Sequence, residues 1–557
     1  MGYYIGIDVG ATHTDGVAVA VSTGSVAAKV KVETSLDLYA CSMEALEGIL
    51  EKVPTKEVKR VLFSTTLVTN AVATGTLEPP GLILMAGPGM NPSFLTDTPD
   101  CHLISGAMDH RGREIVPVDK SEIARVVDNF LLKGIAVVAV AGKFSGRNPS
   151  HELAVKEIAA DRFDYLSLSH NLSGALNFPR RAITAYLSAA LWRRHSNFIS
   201  AITRAVRGHG VEAPLYLLQA DGGAALAESL ENGAETALSG PAASIMGADA
   251  MRSFEGELLT LDIGGTTTDI AMLIDGVPLL EQHGATISGY KTQIRSLYNR
   301  SIPVGGDSEV KVDDGVLTVG PKRRGKAAAL GGPLPTPTDA LIILGRYAKG
   351  DADRARKAFE PIAKELSLTI EEASERVLSK LAETIARETE NFVNEVNSRP
   401  VYTIRELLHG HKVAPTHALL VGGPARLFVP YVEEALGIPV EVPRHSDVAN
   451  AIGAAVSRVS LEVNATADTS KGDLSIPEAG VYRKVKSNYS MGNLEKETLK
   501  ELETLARSHG VTMRGYQPEV LESESFNIIE GYARTGSFHR IRAQVRPSLR
   551  CNIKESG

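Results

Sequence analysis

At 557 residues the chain is too long for one hydrophobic core, so two or more domains are expected. Hydrophobic residues at 43%, charged residues at 22% and a net charge of −7 with both signs scattered describe an ordinary globular protein, without the basic footprint that nucleic acid or an anionic membrane calls for. Cys41, Cys101 and Cys551 lie far apart with no CxxC pair, which excludes a thiol redox or metal motif of that kind and fits reduced thiols in the cytoplasm.

No membrane span is expected, since the apolar run Gly134 to Gly142 is about half the length a bilayer needs. The N-terminus lacks a basic region and Asp8 interrupts its apolar stretch, so it does not read as a signal peptide. Gly6 stands where a myristoylation signal has Ser or Thr.

In chain order, strands are expected near 4–8, 16–21 and 26–33, then a helix near 42–52. Val61-Leu62-Phe63 and Leu82-Ile83-Leu84-Met85 read as short buried strands. A helix near 121–133, a strand at 135–141, a helix from Ser150 and a strand at Tyr165 to Leu168 complete an α/β alternation. These residues are expected to form a first lobe, 1–180. The long helical stretch Ala182 to Val206 carries the single tryptophan, Trp192, and leads into a second lobe, 181–460. There a strand at 215–219 precedes Asp221-Gly222-Gly223, and Ser239 is a candidate cap for a helix with Pro241 in its first turn. Residues 276–350, rich in Gly and Pro, read as an insertion with a hairpin turn at Asp313-Asp314-Gly315. A helix over 369–398 opens on a Thr369/Glu372 capping box, and a strand at 417–421 ends in Gly422-Gly423-Pro424. A helix of small residues follows Pro443. Residues 461–557 read as a C-terminal α/β extension, with strands near 481–487, 511–516 and 538–545 and a helix over 494–508.

Two segments nearly repeat one another: Asp8-Val9-Gly10-Ala11-Thr12-His13-Thr14-Asp15 and Asp262-Ile263-Gly264-Gly265-Thr266-Thr267-Thr268-Asp269. Each joins two apolar runs, which reads as strand, Gly/Thr turn, strand. Such a turn offers backbone N–H groups and hydroxyls to phosphate oxygens. Gly10, Thr12 and Thr14 in one copy and Gly264, Gly265, Thr266 and Thr267 in the other are the candidate ATP ligands. Asp8 and Asp262, at the strand ends, are the candidate catalytic carboxylates and suit Mg²⁺ through water. Both are expected in a solvent-accessible cleft. Gly422 and Gly423 suit an adenine or ribose against glycine backbone. The P-loop and Rossmann patterns are absent.

The order of two phosphate turns, a late Gly-Gly turn and small-residue helices resembles the actin-like ATPase superfamily. Ser64-Thr65-Thr66-Leu67-Val68-Thr69-Asn70-Ala71, Gln219-Ala220-Asp221-Gly222-Gly223, Ser239-Gly240-Pro241-Ala242-Ala243 and the Asp262 turn resemble segments of the hydantoinase A/5-oxoprolinase family. So do Gly305-Gly306-Asp307-Ser308, Val319-Gly320-Pro321, Gly331-Gly332, Pro335-Thr336-Pro337-Thr338-Asp339-Ala340 and Leu344-Gly345. The resemblance covers about residues 3–460. It implies a two-lobed actin-like (ribonuclease H-like) ATPase fold with duplicated mixed sheets. It implies ATP- and Mg²⁺-dependent opening of a cyclic amide, such as a hydantoin or a 5-oxoproline-like lactam, by phosphorylation of the carbonyl oxygen.

Thr65, Thr66, Thr69 and Asn70 are expected at the cleft, because three hydroxyls and an amide within six positions are costly to bury unpartnered. Thr66 and Asn70 are candidate catalytic groups; Thr65, Thr69, Gly305, Gly306 and Asp307 are candidate substrate contacts. His13 reads either as a satisfied loop histidine or as a substrate contact. Ala11 and His13 replace the family's Gly and Phe, and Asp307 its third glycine. The basic stretch Lys322 to Lys326 reads as a solvated loop or as an anion contact. No G-x-S-x-G or H-E-x-x-H hydrolase motif is present, so the resemblance implies a hydantoinase B-type subunit as partner, with self-association also open. The alternatives are a small-molecule kinase of the same superfamily and a reactivase-type ATPase acting on a protein partner.

Overall fold

The structure, a computed structural model, describes residues 2–35, 37–90, 98, 100–230, 232–398, 412–511 and 516–554. Tyr3–Val9, His13–Ala20 and Val26–Glu33 form an antiparallel meander, and Tyr3–Val9 also pairs in parallel with Val58–Thr65. Leu215–Leu218 and Ala224–Leu226 extend this sheet to six strands. Ile5, Ile7 and Val9 are fully buried, as expected of a strand covered on both faces.

The second sheet repeats the plan. Glu257–Ile263 pairs antiparallel with Thr268–Ile274 and in parallel with His417–Val421. The register repeats too: Asp8 faces Asp15 across the first hairpin, and Asp262 faces Asp269 across the second. Two helices, Ser239–Met251 and Ala449–Val456, cross between the sheets. They touch backbone to backbone. A Cβ on Gly247 would lie 2.0 Å from the Ala449 carbonyl oxygen, and one on Gly453 would lie 2.0 Å from that of Ala243. The two sheets and their paired helices make a two-lobed actin-like α/β fold.

A parallel sheet of Tyr165–Leu168, Val137–Gly142, Gly81–Met85 and Cys101–Leu103 is set into the first lobe. Phe178–Gly208 packs against it. C-terminally, Val481–Lys484, Asp473–Ile476, Leu461–Asp468, Ala533–Val545 and Pro518–Glu530 form a five-stranded sheet covered by Met491–Ser508. It is tied to the first lobe by Arg111 on Asp468 (2.7 Å) and by the Ser475 hydroxyl donating to the Gly146 carbonyl (2.7 Å).

Several expectations shift. The lobe boundary expected at residue 180 falls inside the Phe178–Gly208 helix, and strands up to Leu226 still belong to the first sheet. Burial of Leu215, Leu217 and Ala225 in the first lobe's core holds them there. Residues 276–350 are not wholly inserted, since Val277–Pro278 and Asn299–Ile302 pair with Thr268–Ile274. Ser239 is the first helical residue and not the cap: Leu238 takes that place with a left-handed φ of 58°. Pro518–Glu530 and Ala352–Leu366 are elements absent from the sequence reading. Residues 512–515, within the strand expected at 511–516, lie outside the described residues. The Thr369/Glu372 box forms, and Asp314 and Gly315, with φ of 52° and 75°, make the tight hairpin turn.

Candidate functional site

The two repeated turns close the same way. Gly10 N donates to the His13 carbonyl at 3.1 Å, and Gly264 N donates to the Thr267 carbonyl at 2.9 Å. Each leaves its Gly/Thr stretch at the surface of the site, with Thr12, His13 and Thr266 exposed. Thr14 differs: it is buried, and its hydroxyl meets that of Thr34 at 3.0 Å.

The carboxyls behind the turns form one electrostatic unit. Burial pushes Asp8 up to about 7, with Asp15 and Asp262 adding repulsion and hydrogen bonds from Ser64 and Asn450 opposing it. Burial likewise raises Asp269 to about 7, with Asp262 adding to the effect. Asp262 and Asp15 are raised by the same desolvation; Ser244 bonds Asp262, and Lys31 pairs with Asp15 at 2.6 Å. Asp8 is 4% exposed, so the expected solvent-accessible carboxylate is in fact sunk beneath its turn. Its Oδ1 and that of Asp269 are buried without a hydrogen-bond donor.

Ser64, Ser244 and Asn450 were missed by sequence reasoning. The signal was a single polar residue in a run of small helix residues, Ala243-Ser244-Ile245 and Ala449-Asn450-Ala451. Ser244 on the first crossing helix thus bonds Asp262, and Asn450 on the second bonds Asp8 of the first sheet.

The Thr65–Asn70 segment divides. Thr66 lies against the first turn, its hydroxyl donating to the Val9 carbonyl at 3.2 Å, and Asn70 Nδ2 donates to that hydroxyl at 3.2 Å. Thr65 is buried, and its hydroxyl accepts from Leu67 N at 3.1 Å, so it does not face the cleft as expected. Thr69 accepts from Leu238 N at 3.2 Å, at the start of the first crossing helix. Ser239 accepts from Thr65 N at 3.2 Å and donates to the Thr65 carbonyl at 3.0 Å, which locks this segment to that helix.

Gly305, Gly306 and Asp307 pack on the second turn. Gly306 N donates to the Gly264 carbonyl at 2.9 Å and Asp307 N to that of Gly265 at 2.7 Å. Only glycine fits at 305, where a Cβ would stand 2.5 Å from the Gly264 oxygen. Asp307 pairs with Arg323 at 3.1 Å, and Lys326 with Glu33 at 2.9 Å, so these two residues of the basic stretch are ion-paired, the second pair joining the lobes. Partial desolvation, followed by the charge of Lys31, lowers the pKa of His13. Gly422 has a φ of 103°, and a Cβ there would meet Asp262 Oδ1 at 2.7 Å. No atom outside its neighbours stands near a Cβ built on Gly423.

The orphaned carboxyl oxygens and the pKa values that burial raises fit a cation. Among the described residues no three His, Cys, Asp or Glu side chains converge closely enough to hold a metal ion by themselves. That donor set suits Mg²⁺, which takes one or two carboxylates and completes its shell with phosphate and water. Among the described residues no helix is long and apolar enough to cross a membrane.

Solved structures share this architecture. The ATP-dependent caprolactamase from Pseudomonas jessenii superposes over 98% of this chain and 87% of its own, with a TM-score of 0.74 at 18% identity. A nucleotide-free acetone carboxylase superposes over 99% and 89%, with a TM-score of 0.71 at 15% identity. The family model described as hydantoinase/oxoprolinase matches residues 181–463, and that of its N-terminal region matches residues 4–163. The chain belongs to the hydantoinase/oxoprolinase family.

Among curated relatives, the caprolactamase subunit alpha of Pseudomonas jessenii is 26% identical over 60% of this chain and 49% of its own length. The acetophenone carboxylase gamma subunit of Aromatoleum aromaticum is 27% identical over 43% and 35%. A protein of Methanocaldococcus jannaschii is 26% identical over 70% and 64%. The chain thus spans between about a third and just under two-thirds of the length of these relatives.

Proposed function

We propose that this chain is the ATP-using component of a cyclic amidase, which phosphorylates the carbonyl oxygen of a ring amide so that water can open the ring. The observation that carries this reading is the repeated strand–turn–strand register, in which Asp8 faces Asp15 and Asp262 faces Asp269, with Asp15 and Asp262 raising Asp8 and Asp262 raising Asp269. When bound, Mg-ATP supplies the phosphoryl group that turns a poor amide leaving oxygen into a good one.

The chain's residues do the positioning. Thr12, Gly265, Thr266 and Thr267 offer N–H and hydroxyl groups to the phosphates, while Gly10 and Gly264, whose own N–H groups close the turns, shape the cradle; Gly422 and Gly423 take the nucleoside end. Asp8 and Asp262 orient the cation through water. Thr66, held on the Val9 carbonyl, and Asn70, held on Thr66, stand beside the first turn and suit the transferring phosphoryl group or the substrate carbonyl. Thr69, His13 and Asp307 line the same region on this reading, and Thr14 and Thr65 support it from below. The relatives named as subunit alpha and subunit gamma support a partner subunit that completes the hydrolysis. A second reading is favoured by the carboxylase relative: the same phosphoryl transfer onto a ketone or enol oxygen ahead of carboxylation.

Phosphate release from the purified chain with Mg-ATP, with and without hydantoin, 5-oxoproline or caprolactam, tests the reading. Release that depends on a cyclic amide supports it. ATP turnover indifferent to every amide, but stimulated by acetophenone and bicarbonate, moves the assignment to the carboxylase reading.

A further inference from the structure

The matched carboxyl pairs each extend to a third residue, and there the repeat breaks. Asp8, Asp15 and Lys31 stand opposite one another on adjacent antiparallel strands of the first sheet. Asp262, Asp269 and Ser301 do the same in the second. Residues opposed in this way put their side chains on one face of the sheet. A lysine therefore ends one row where a serine ends the other.

The hairpin by itself does not call for a cation at this place. Ser301 serves the second row with a hydroxyl bonded to Asp269. Lys31 pairs with Asp15 at 2.6 Å while its side chain stays 38% exposed. Its neighbours on the same strand face, two residues to either side, are spent elsewhere. Lys29 pairs with Asp447 at 2.7 Å, and Glu33 with Lys326 at 2.9 Å. Those pairs join the strand to the second half of the chain. Between them, Lys31 brings its charge to bear on His13 of the first turn and on Asp262 of the second sheet. The order of strands puts Thr66 on one flank of the first turn and Lys31 on the other.

We propose that Lys31 is the cation that meets the terminal phosphate of the bound nucleotide, which places that phosphate on the first turn, beside Thr66 and Asn70. The inference rests on the ATP-using reading above and adds to it the group that tells a triphosphate from a diphosphate. An ammonium carries three donors on a flexible four-carbon stem, so it can turn from a carboxylate to a phosphate oxygen while its strand stays in place. The second turn, with Ser301 in the matching place, has no such charge and is left to the phosphates nearer the nucleoside, beside Gly422.

Calorimetric titration of the full chain with Mg-ADP and with non-hydrolysable Mg-β,γ-imido-ATP tests this without turnover. Lys31→Met keeps most of the stem and removes the charge. It is expected to weaken the imido-ATP complex at least about tenfold, on the scale of one charge-assisted hydrogen bond, and the ADP complex less than about twofold. Lys31→Gln, polar at the same place, should show the same split, and both variants should keep the parent's circular dichroism spectrum. Lys29→Met removes a nearby charge from the same face and is expected to leave both affinities unchanged. Equal weakening of both nucleotides, unaltered imido-ATP affinity in either folded Lys31 variant, or the same loss in Lys29→Met would overturn the assignment of Lys31 and leave the ATP-using reading standing. A parent chain that binds neither nucleotide would overturn both.

Discussion

Four buried or half-buried carboxyls without enough donors define the site at the scale of single residues. Asp8 and Asp269 each keep an oxygen that nothing bonds, and both are pushed up to about 7 by burial. Such groups hold protons in the folded chain that the unfolded chain has already released. Between the ordinary carboxylate range near pH 4 and about pH 7 they therefore make stability fall as pH rises. A bound cation reverses their cost. Scanning calorimetry is expected to show Mg-nucleotide raising the melting temperature more at about pH 8 than at about pH 5, where these groups are already neutral. Equal stabilisation at both values would remove Asp8 from cation binding. Asp262→Asn is expected to lower ATP turnover at least about 100-fold, on the scale of losing one preorganised electrostatic group, with the circular dichroism spectrum unchanged. Turnover within about twofold of the parent chain would take Asp262 out of the mechanism.

The strand–turn–strand pair is the element that the sequence made most legible, because a repeat of identical residue types in identical contexts needs no tertiary information. Asp8-Val9-Gly10 and Asp262-Ile263-Gly264 both landed in matching registers. Thr65 shows where such reading stops: sequence placed its hydroxyl in the cleft, whereas the first turn of the following helix consumes it as an acceptor for Leu67 N. Ser239 shows the same limit, since a residue that looks like a cap bonds another segment, Thr65, instead. The long strand Pro518–Glu530 was illegible because its exposed, alternating Glu and Ser residues carry no buried-face pattern. The crossing helices supply a test at this scale. Gly453→Ala puts a Cβ 2.0 Å from the Ala243 carbonyl, against backbone that has nowhere to move. It is expected to destabilise the chain by about 3 kcal/mol or to stop it folding, read by urea unfolding. A variant as stable as its parent would mean the helices separate more easily than their contact implies.

At the scale of the whole molecule, two sheets each present a carboxyl pair and a Gly/Thr turn, and the ion pairs Lys326 with Glu33 and Lys29 with Asp447 reach the first sheet from the second half of the chain. The lobe boundary itself was misplaced because the strands Leu215–Leu218 and Ala224–Leu226 return to the first sheet after a long helix, a connection only the fold displays. The proposed phosphate cradle, in a sequence without G-x-S-x-G or H-E-x-x-H, leads to a further expectation. The isolated chain is expected to bind Mg-ATP in a calorimetric titration but to open a ring slowly or not at all until a B-type subunit is added. Ring opening by the chain alone at a typical enzymatic rate, about 1 s⁻¹ or faster, would show that no partner is needed. The central claim is that the phosphoryl group passes to the amide carbonyl oxygen, and one labelling measurement tests it directly. With a cyclic amide carrying ¹⁸O in its carbonyl, and with any subunit the turnover requires, mass spectrometry of the phosphate released from unlabelled ATP should show one ¹⁸O per ring opened. Turnover that leaves all the label in the opened product and none in the phosphate would contradict the account.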